Sequence, residues 1–175
     1  PLKLLAFQDR HMQRLPIKQK VALVLPFLQQ AGFVEAPPAC DTGPYLTRIV
    51  EAAGDRIKTA GDILDFDDFF TADEQLVYDD AAFEKRLRKP DDAAGLLSKF
   101  RSCLADAEPF DVESLDQLLH GFVEREEIKM GQIIHALRVA VTGKGVGFGM
   151  FEILAILGRE RCLRRIDRAL ELSQV

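Results

Sequence analysis

Apolar residues recur at the helical period along most of this chain. The first clear stripe lies between Pro16 and Gly32 and consists of Ile17, Val21, Val24, Leu25 and Leu28. Pro16 suits the first position of a helix, and Gly32 suits the position just after its end. Pro26 falls inside this stripe, so we expect it either to kink the helix or to divide it in two.

Later segments show the same periodicity. After a proline-rich stretch at residues 36–45, we predict a helix capped by Asp41 or Thr42, with the stripe Leu46, Ile49, Val50, Ala53 and Ile57. Thr71 and Glu74 have the spacing of a capping box. Further helices are predicted to open at Pro90-Asp91, near Asp111, around Lys129–Thr142 and at Met150–Leu172, with a break at Gly158.

No segment alternates between apolar and polar residues as a strand would, so the pattern predicts an all-α fold. Pro90 and Pro109 interrupt the helical pattern between residues 88 and 112. We therefore expect two packed helical subdomains, at residues 16–100 and 101–175, preceded by a short segment at residues 1–15. The first residue is Pro and not Met, so we expect the sequence to be a piece of a longer protein.

The composition indicates a folded chain without a membrane span. Hydrophobic residues make up 47% of the 175 residues and charged residues 29%. The three cysteines, Cys40, Cys103 and Cys162, have neither metal-ligand spacing nor an evident disulfide pattern, which is typical of reduced thiols. Because the net charge is −5, any site for a polyanion must come from a local concentration of Lys and Arg.

The residue types that carry catalysis or bind metals form no convincing group. Asp62, Asp65, Asp67 and Asp68 lie close in sequence, but without a nearby His or a glycine-bearing calcium loop they indicate a solvated acidic face. The histidines, His11, His120 and His135, have no evident Ser or Cys partner. We therefore predict no catalytic residue and no metal site.

The most informative stretch is residues 129–170. It carries the pattern K-x-G-x-x-x-x-x-L-R-x-A-x-T-G, then a loop, then F-E-x-L-x-x-L-G and a basic final helix. Gly54–Phe70 and the first sixteen residues add weaker matches. In the amino-terminal match, Phe7 is the aromatic residue of the motif. Together these motifs resemble the C-terminal region of bacterial-type glutamyl-tRNA synthetases, which are class I aminoacyl-tRNA synthetases.

The resemblance implies the helical cage that binds the anticodon in these enzymes, with residues 1–15 ending the stem-contact region. It implies tRNA-Glu and the catalytic domain of the parent synthetase as partners, in bacterial cytoplasm or an organelle. The HIGH-like and KMSKS-like signatures are absent from this sequence. We therefore expect the catalytic domain, with ATP and Mg²⁺, to lie outside this chain, and the chain alone to be a monomer without catalysis or cofactor.

The resemblance also assigns site residues. Arg138 lies at the edge of the apolar stripe, where its stem can pack while its head remains available to a ligand. The resemblance implies that this head contacts an anticodon base. The alternative is an ordinary boundary arginine. In the following loop, Gly147, Phe148, Gly149 and Met150 match positions that contact bases. Phe148 could stack on a base or fill the core, and the residues alone leave both open.

Other basic residues are assigned with less detail. Arg56 matches the position that reads the third anticodon base, although it could also belong to a solvated helix face. Lys129, Lys144 and Arg165 are candidate phosphate contacts. The arginines of the last helix could instead form a solvated amphipathic face. The amino-terminal residues Lys3, Arg10, Arg14, Lys18 and Lys20 could face the tRNA stem.

A second function remains open from the sequence. The net acidity, the unusual loop GKGVGFG and the missing catalytic signatures would also suit a helical protein-interaction domain that no longer binds tRNA. Binding to tRNA separates the two hypotheses.

Overall fold

A computed structural model describes the backbone of residues 2–174 and the side chains of residues 8–174. Every regular element within residues 2–174 is helical, and this part of the chain contains no β-strand, which confirms the all-α prediction. The α-helices are α1 Leu2–Arg14, α2 Ile17–Gln30, α3 Thr42–Ala53, α4 Asp80–Phe83, α5 Ala93–Ala105, α6 Val112–Arg125, α7 Met130–Thr142, α8 Met150–Leu157 and α9 Arg159–Ser173. Short 3-10 helices span Gly54–Arg56, Ala60–Phe69 and Asp73–Gln75, and a π-helical turn spans Glu84–Arg88.

The chain folds as two compact units, residues 1–71 and 72–175. The predicted boundary at residues 100 and 101 is therefore wrong as a division between units, because it cuts α5, whose Phe100 and Leu104 are fully buried. Pro90 and Pro109 flank α5 instead of separating two cores. A proline interrupts a helix locally, whereas tertiary packing decides which helices share a core.

In the first unit, α2 packs against α3 and the 3-10 segment Ala60–Phe69. Helix α2 runs through Pro26 without division, and Gly32 follows it with a φ of +79°, as a helix stop requires. Asp41 occupies the N-cap of α3, although its side chain makes no capping bond. The capping box predicted from Thr71 is wrong, because the 3-10 helix Asp73–Gln75 has Ala72 at its N-cap and no side-chain capping bond.

In the second unit, α9 packs against α5 and α7, and α6 packs against α8. Asp111 caps α6 as predicted, by accepting a hydrogen bond from the Ser114 amide at 2.9 Å. The predicted break at Gly158 is confirmed, because this residue separates α8 from α9 with a φ of +81°. None of the described helices is long and apolar enough to cross a membrane.

Candidate nucleic-acid interface

The structure brings together Arg138 and the glycine-rich loop that follows α7. Arg138 lies half-buried near the end of that helix, and its Nη1 donates to the Phe148 carbonyl at 2.8 Å. A Cβ on Gly147 would lie only 3.1 Å from the same Nη1. The loop therefore folds back over the guanidinium, and the lack of a side chain at residue 147 leaves room for it.

Within the loop, the structure separates exposed from buried positions. Gly145, Val146, Gly147 and Gly149 are exposed, whereas the side chains of Phe148 and Met150 are buried at 2% and 3% exposure. A ring at 2% exposure has no free face for a base, so the stacking hypothesis for Phe148 does not fit this conformation. Phe148 instead fills the core and orients Arg138 through its carbonyl.

Both ends of the loop are anchored by specific contacts. At the start, the Thr142 hydroxyl donates to the Arg138 carbonyl at 2.9 Å and accepts from the Lys144 amide at 3.1 Å. At the other end, Gly149 forms the N-cap of α8, and a Cβ on it would overlap the Glu152 carboxylate. A carboxylate in the first turn of a helix is favoured by the helix dipole. These contacts leave the backbone of residues 145–147 as the outer part of the loop.

Of the three candidate phosphate contacts, only Lys144 lies in this loop. Lys129 is exposed at the other end of α7, nine positions and roughly 13 Å along the helix axis from Arg138. Its amide donates to Gln132 Oε1 at 2.8 Å, which closes the first turn of the helix. Lys129 is thus available to solvent but distant from Arg138.

Arg165 cannot contact phosphate in this structure, because it is fully buried. Its Nε donates to Asp73 Oδ1 at 2.6 Å, and its Nη1 donates to the Val141 carbonyl, also at 2.6 Å. Arg161 and Arg164 bind the same carboxylate. The predicted solvated face of α9 is therefore wrong for Arg165, whereas Arg164 pairs with the same carboxylate from an exposed position.

Arg56 belongs to the first unit. It is exposed at the end of the 3-10 helix Gly54–Arg56, and no carboxylate of the described residues pairs with it. Of the amino-terminal basic residues, Arg10, Arg14 and Lys18 are exposed and Lys20 is buried. The side chains of Lys3 and Phe7 lie outside those that the structure describes.

Sequence reasoning missed two basic residues near Arg138. Lys85 and Arg86 lie on the π-helical turn, which packs against α7. Burial lowers the pKa of His135, one turn before Arg138, and the positive charges of Arg86, Arg138 and Lys85 lower it further. The fold thus brings these cations near His135. Some fifty residues separate Arg86 from Arg138 along the chain, so neither periodicity nor motif spacing could have grouped them.

The acidic stretch of the first unit is less exposed to solvent and more hydrogen-bonded than predicted. Asp62 accepts hydrogen bonds from the amides of Lys58 and Thr59 at 2.8 and 2.9 Å, and Asp68 is buried. The expected solvated face therefore does not hold for Asp68. Across the part of the chain that the structure describes, no three His, Cys, Asp or Glu side chains are grouped as metal ligands.

Comparison with known proteins gives consistent results. Residues 19–170 match the family described as the anticodon binding domain. The glutamate–tRNA ligase of Desulforudis audaxviator is 34% identical over 170 residues, which cover 96% of this chain and 34% of that protein. The glutamate–tRNA ligase of Moorella thermoacetica is 34% identical over 147 residues, covering 84% of this chain and 30% of that protein. The chain thus spans about a third of the length of these curated relatives.

Solved structures support the fold. A glutamate tRNA ligase from Elizabethkingia meningosepticum, in complex with its amino acid, superposes with a TM-score of 0.82 at 21% identity and covers 95% of this chain and 31% of that one. The resemblance inferred from the motifs at residues 129–170 is confirmed by these matches. Since the family match covers most of its length, this chain belongs to the anticodon binding domain family.

Proposed function

We propose that this chain recognises the anticodon of tRNA-Glu as part of a longer glutamate–tRNA ligase. The observation that carries the proposal is the contact between Arg138 and the Phe148 carbonyl beneath an exposed glycine-rich loop. Sequence-specific RNA recognition reads unstacked bases through their edges, and Arg is well suited to this task. Because the carbonyl fixes the guanidinium, little conformational entropy is lost when a base is bound.

Local charge supports the same proposal despite the net charge of −5. Lys85, Arg86 and Arg138 all lie near His135, on α7 and on the π-helical turn that packs against it, so positive charge is concentrated along this part of α7. Such charges bind phosphates and position an RNA without reading its sequence. Arg138 and the loop would thus provide specificity, while Lys85 and Arg86 would hold the backbone of the anticodon arm.

The remaining parts of the proposal come from the relatives. Glutamate–tRNA ligases are the proteins that this chain matches, so we infer that the longer protein joins glutamate to tRNA-Glu, with ATP and Mg²⁺ bound outside this chain. Arg56, exposed on the first unit, would read the third anticodon base and so discriminate against tRNA-Gln. We further propose that the chain is monomeric and acts in the bacterial cytoplasm or in an organelle.

The first test is Arg138→Ala, which should weaken binding of tRNA-Glu by roughly 1–3 kcal/mol, as expected for a lost base contact. It should also reduce the preference for the glutamate anticodon over a swapped anticodon. Because the variant loses the bond to Phe148, its free energy of unfolding should fall by about 1 kcal/mol. Filter binding with tRNA-Glu, tRNA-Gln and anticodon-swapped tRNA-Glu measures the first two effects, and urea denaturation measures the third.

Arg101→Ala is the matched control. Its guanidinium pairs with Asp167 at 2.8 Å in the same unit, so the variant also loses one arginine interaction. We expect it to keep wild-type tRNA binding. If Arg138→Ala binds each of the three RNAs as tightly as Arg101→Ala does, Arg138 does not read the anticodon. Failure of the unmodified chain to bind tRNA at low salt would favour the protein-interaction hypothesis.

Arg86→Ala should have a different effect, because a phosphate contact is insensitive to sequence. We expect binding to weaken by a similar factor for all three tRNAs. The slope of log K against log salt should fall in magnitude by about one, since one fewer counterion is released. A change of anticodon preference in this variant, with an unaltered slope, would show that Arg86 reads a base and does not bind phosphate.

A further inference from the structure

The glycine-rich loop after α7 rests on another segment of the second unit, residues 73–82, which we name the strap. The strap runs from the 3-10 helix at Asp73 through an extended stretch into α4. It contacts α9 at its start and the end of α7 at its far end. Its contacts therefore connect the arginines of α9 to the last turn of α7, where the loop begins.

The start of the strap is fixed by ion pairs and carbonyl contacts. Asp73 is buried and accepts hydrogen bonds from Arg165, which also donates to the Val141 carbonyl in the last turn of α7. Arg168 Nη1 donates to the Leu76 carbonyl at 2.6 Å. These bonds hold residues 73–76 against α9 and the end of α7.

The middle of the strap meets the last turn of α7 directly. The Tyr78 hydroxyl lies 3.4 Å from the Ala140 carbonyl, and the Arg168 guanidinium covers the Tyr78 ring at 5.3 Å. The Val77 carbonyl lies so close to Gly143 that a Cβ on that glycine would overlap it. The strap is thus packed against the residue that opens the loop.

Asp79 bonds to the loop through its backbone amide and caps α4 through its side chain. Its amide donates to the Gly143 carbonyl at 2.8 Å. Its carboxylate accepts from the Ala82 amide at 2.7 Å and so caps α4. A Cβ added to Gly145 would lie 3.4 Å from the Ala82 Cβ, so the helix that Asp79 caps also supports the loop.

We propose that Asp79 is a positioning residue for anticodon recognition. By capping α4 and bonding to Gly143, it holds the loop at residues 143–147 in the position that presents Arg138 to a base. This inference rests on the proposed anticodon binding. It assigns to Asp79 no contact with RNA.

The test compares Asp79→Ala with Asp79→Asn. Alanine removes the cap, whereas asparagine is an equally good N-cap without the charge. For Asp79→Ala we expect the preference for the glutamate anticodon over a swapped anticodon to fall about fivefold, within the range for changes that act through packed neighbours. For Asp79→Asn we expect the wild-type preference. Equal losses in the two variants would overturn the proposal, because they would trace the effect to the charge.

Asp111→Ala is the control for the loss of a cap, because Asp111 caps α6 in the same unit through the same kind of bond. Hydrogen exchange supplies a readout without RNA. Exchange of the amides of residues 143–147 should rise several-fold in Asp79→Ala and remain unchanged in Asp111→Ala. Unchanged exchange in Asp79→Ala would overturn the positioning role. If the unmodified chain showed no anticodon preference while exchange still rose in Asp79→Ala, anticodon recognition would be refuted and the support of the loop by Asp79 upheld.

Discussion

Asp73→Asn is expected to lower the free energy of unfolding by about 3–5 kcal/mol, which is the cost of removing one partner of a buried ion pair. Asp73 is 7% exposed and its carboxylate receives hydrogen bonds from Arg161, Arg164 and Arg165, of which Arg165 is fully buried. Asparagine keeps the shape but leaves the Arg165 charge without a counterion in the core. Urea denaturation at pH 7 measures the change.

Asp167→Asn is the matched control, since Asp167 lies on α9, the helix that carries the three arginines bound to Asp73. Its partner Arg101 is bound at 2.8 Å, but both side chains are partly exposed, at 46% and 34%. Exposed ion pairs contribute about 0–1 kcal/mol, so this variant should lose less than about 1 kcal/mol. Equal losses from the two variants would show that burial of Arg165 does not make the Asp73 pair more important.

The same carboxylate should make stability depend on pH. Burial raises the pKa of Asp73, but hydrogen bonds from Arg165 and Arg164 and the charge of Arg161 lower it more, so the pKa in the folded state lies below its usual value of 3.8. A depressed folded pKa means that the unfolded chain binds more protons. The stabilisation is therefore complete above about pH 4 and is lost as pH falls through the folded pKa. In denaturation series below pH 4, Asp73→Asn should lose less stability than the wild type, and parallel curves would contradict this.

Gly143→Ala has the second large expected effect, a loss of about 2–4 kcal/mol. Gly143 has a φ of +74°, and this left-handed conformation costs alanine about 1 kcal/mol. A Cβ at this position would also overlap the Val77 carbonyl, and overpacking against backbone costs a further 1–3 kcal/mol or so. Urea denaturation measures this loss from the unfolding transition of the second unit.

Gly32→Ala separates the two contributions. Gly32 has a similar φ of +79°, but nothing lies within 4 Å of a Cβ placed there. Its substitution should therefore cost only about 1 kcal/mol, for the backbone conformation alone. If the two substitutions cost the same, the close approach between Gly143 and the strap contributes nothing to stability.

Much of this fold could be predicted from the sequence because its signals are local. Helical periodicity and the positions of Asp111 and Gly158 predicted α6, α8 and α9 within a residue or two. The motif around Arg138 and Gly143 identified the family, and the site it indicated is the one where the structure joins Arg138 to the loop. What these signals share is that the interacting residues lie within about ten positions of one another.

The tertiary structure decided everything that depends on distant partners. Arg165 was predicted to contact phosphate, but its carboxylate partner, Asp73, lies 92 residues earlier in the chain. Phe148 could have stacked on a base or filled the core, and the packing of the second unit buried it. The chain divides after Thr71 because the later helices share one core, and the prolines at positions 90 and 109 do not mark the division.

By itself, then, the sequence determined the helices, their ends and the family, because periodicity, caps and motif spacing depend on neighbours along the chain. Only the tertiary structure decided which cations face solvent. A charged side chain is buried when a distant carboxylate compensates its desolvation, as Asp73 does for Arg165. Lys85 stays exposed, and Arg86 and Arg138 stay partly exposed, where the fold brings the three cations near His135.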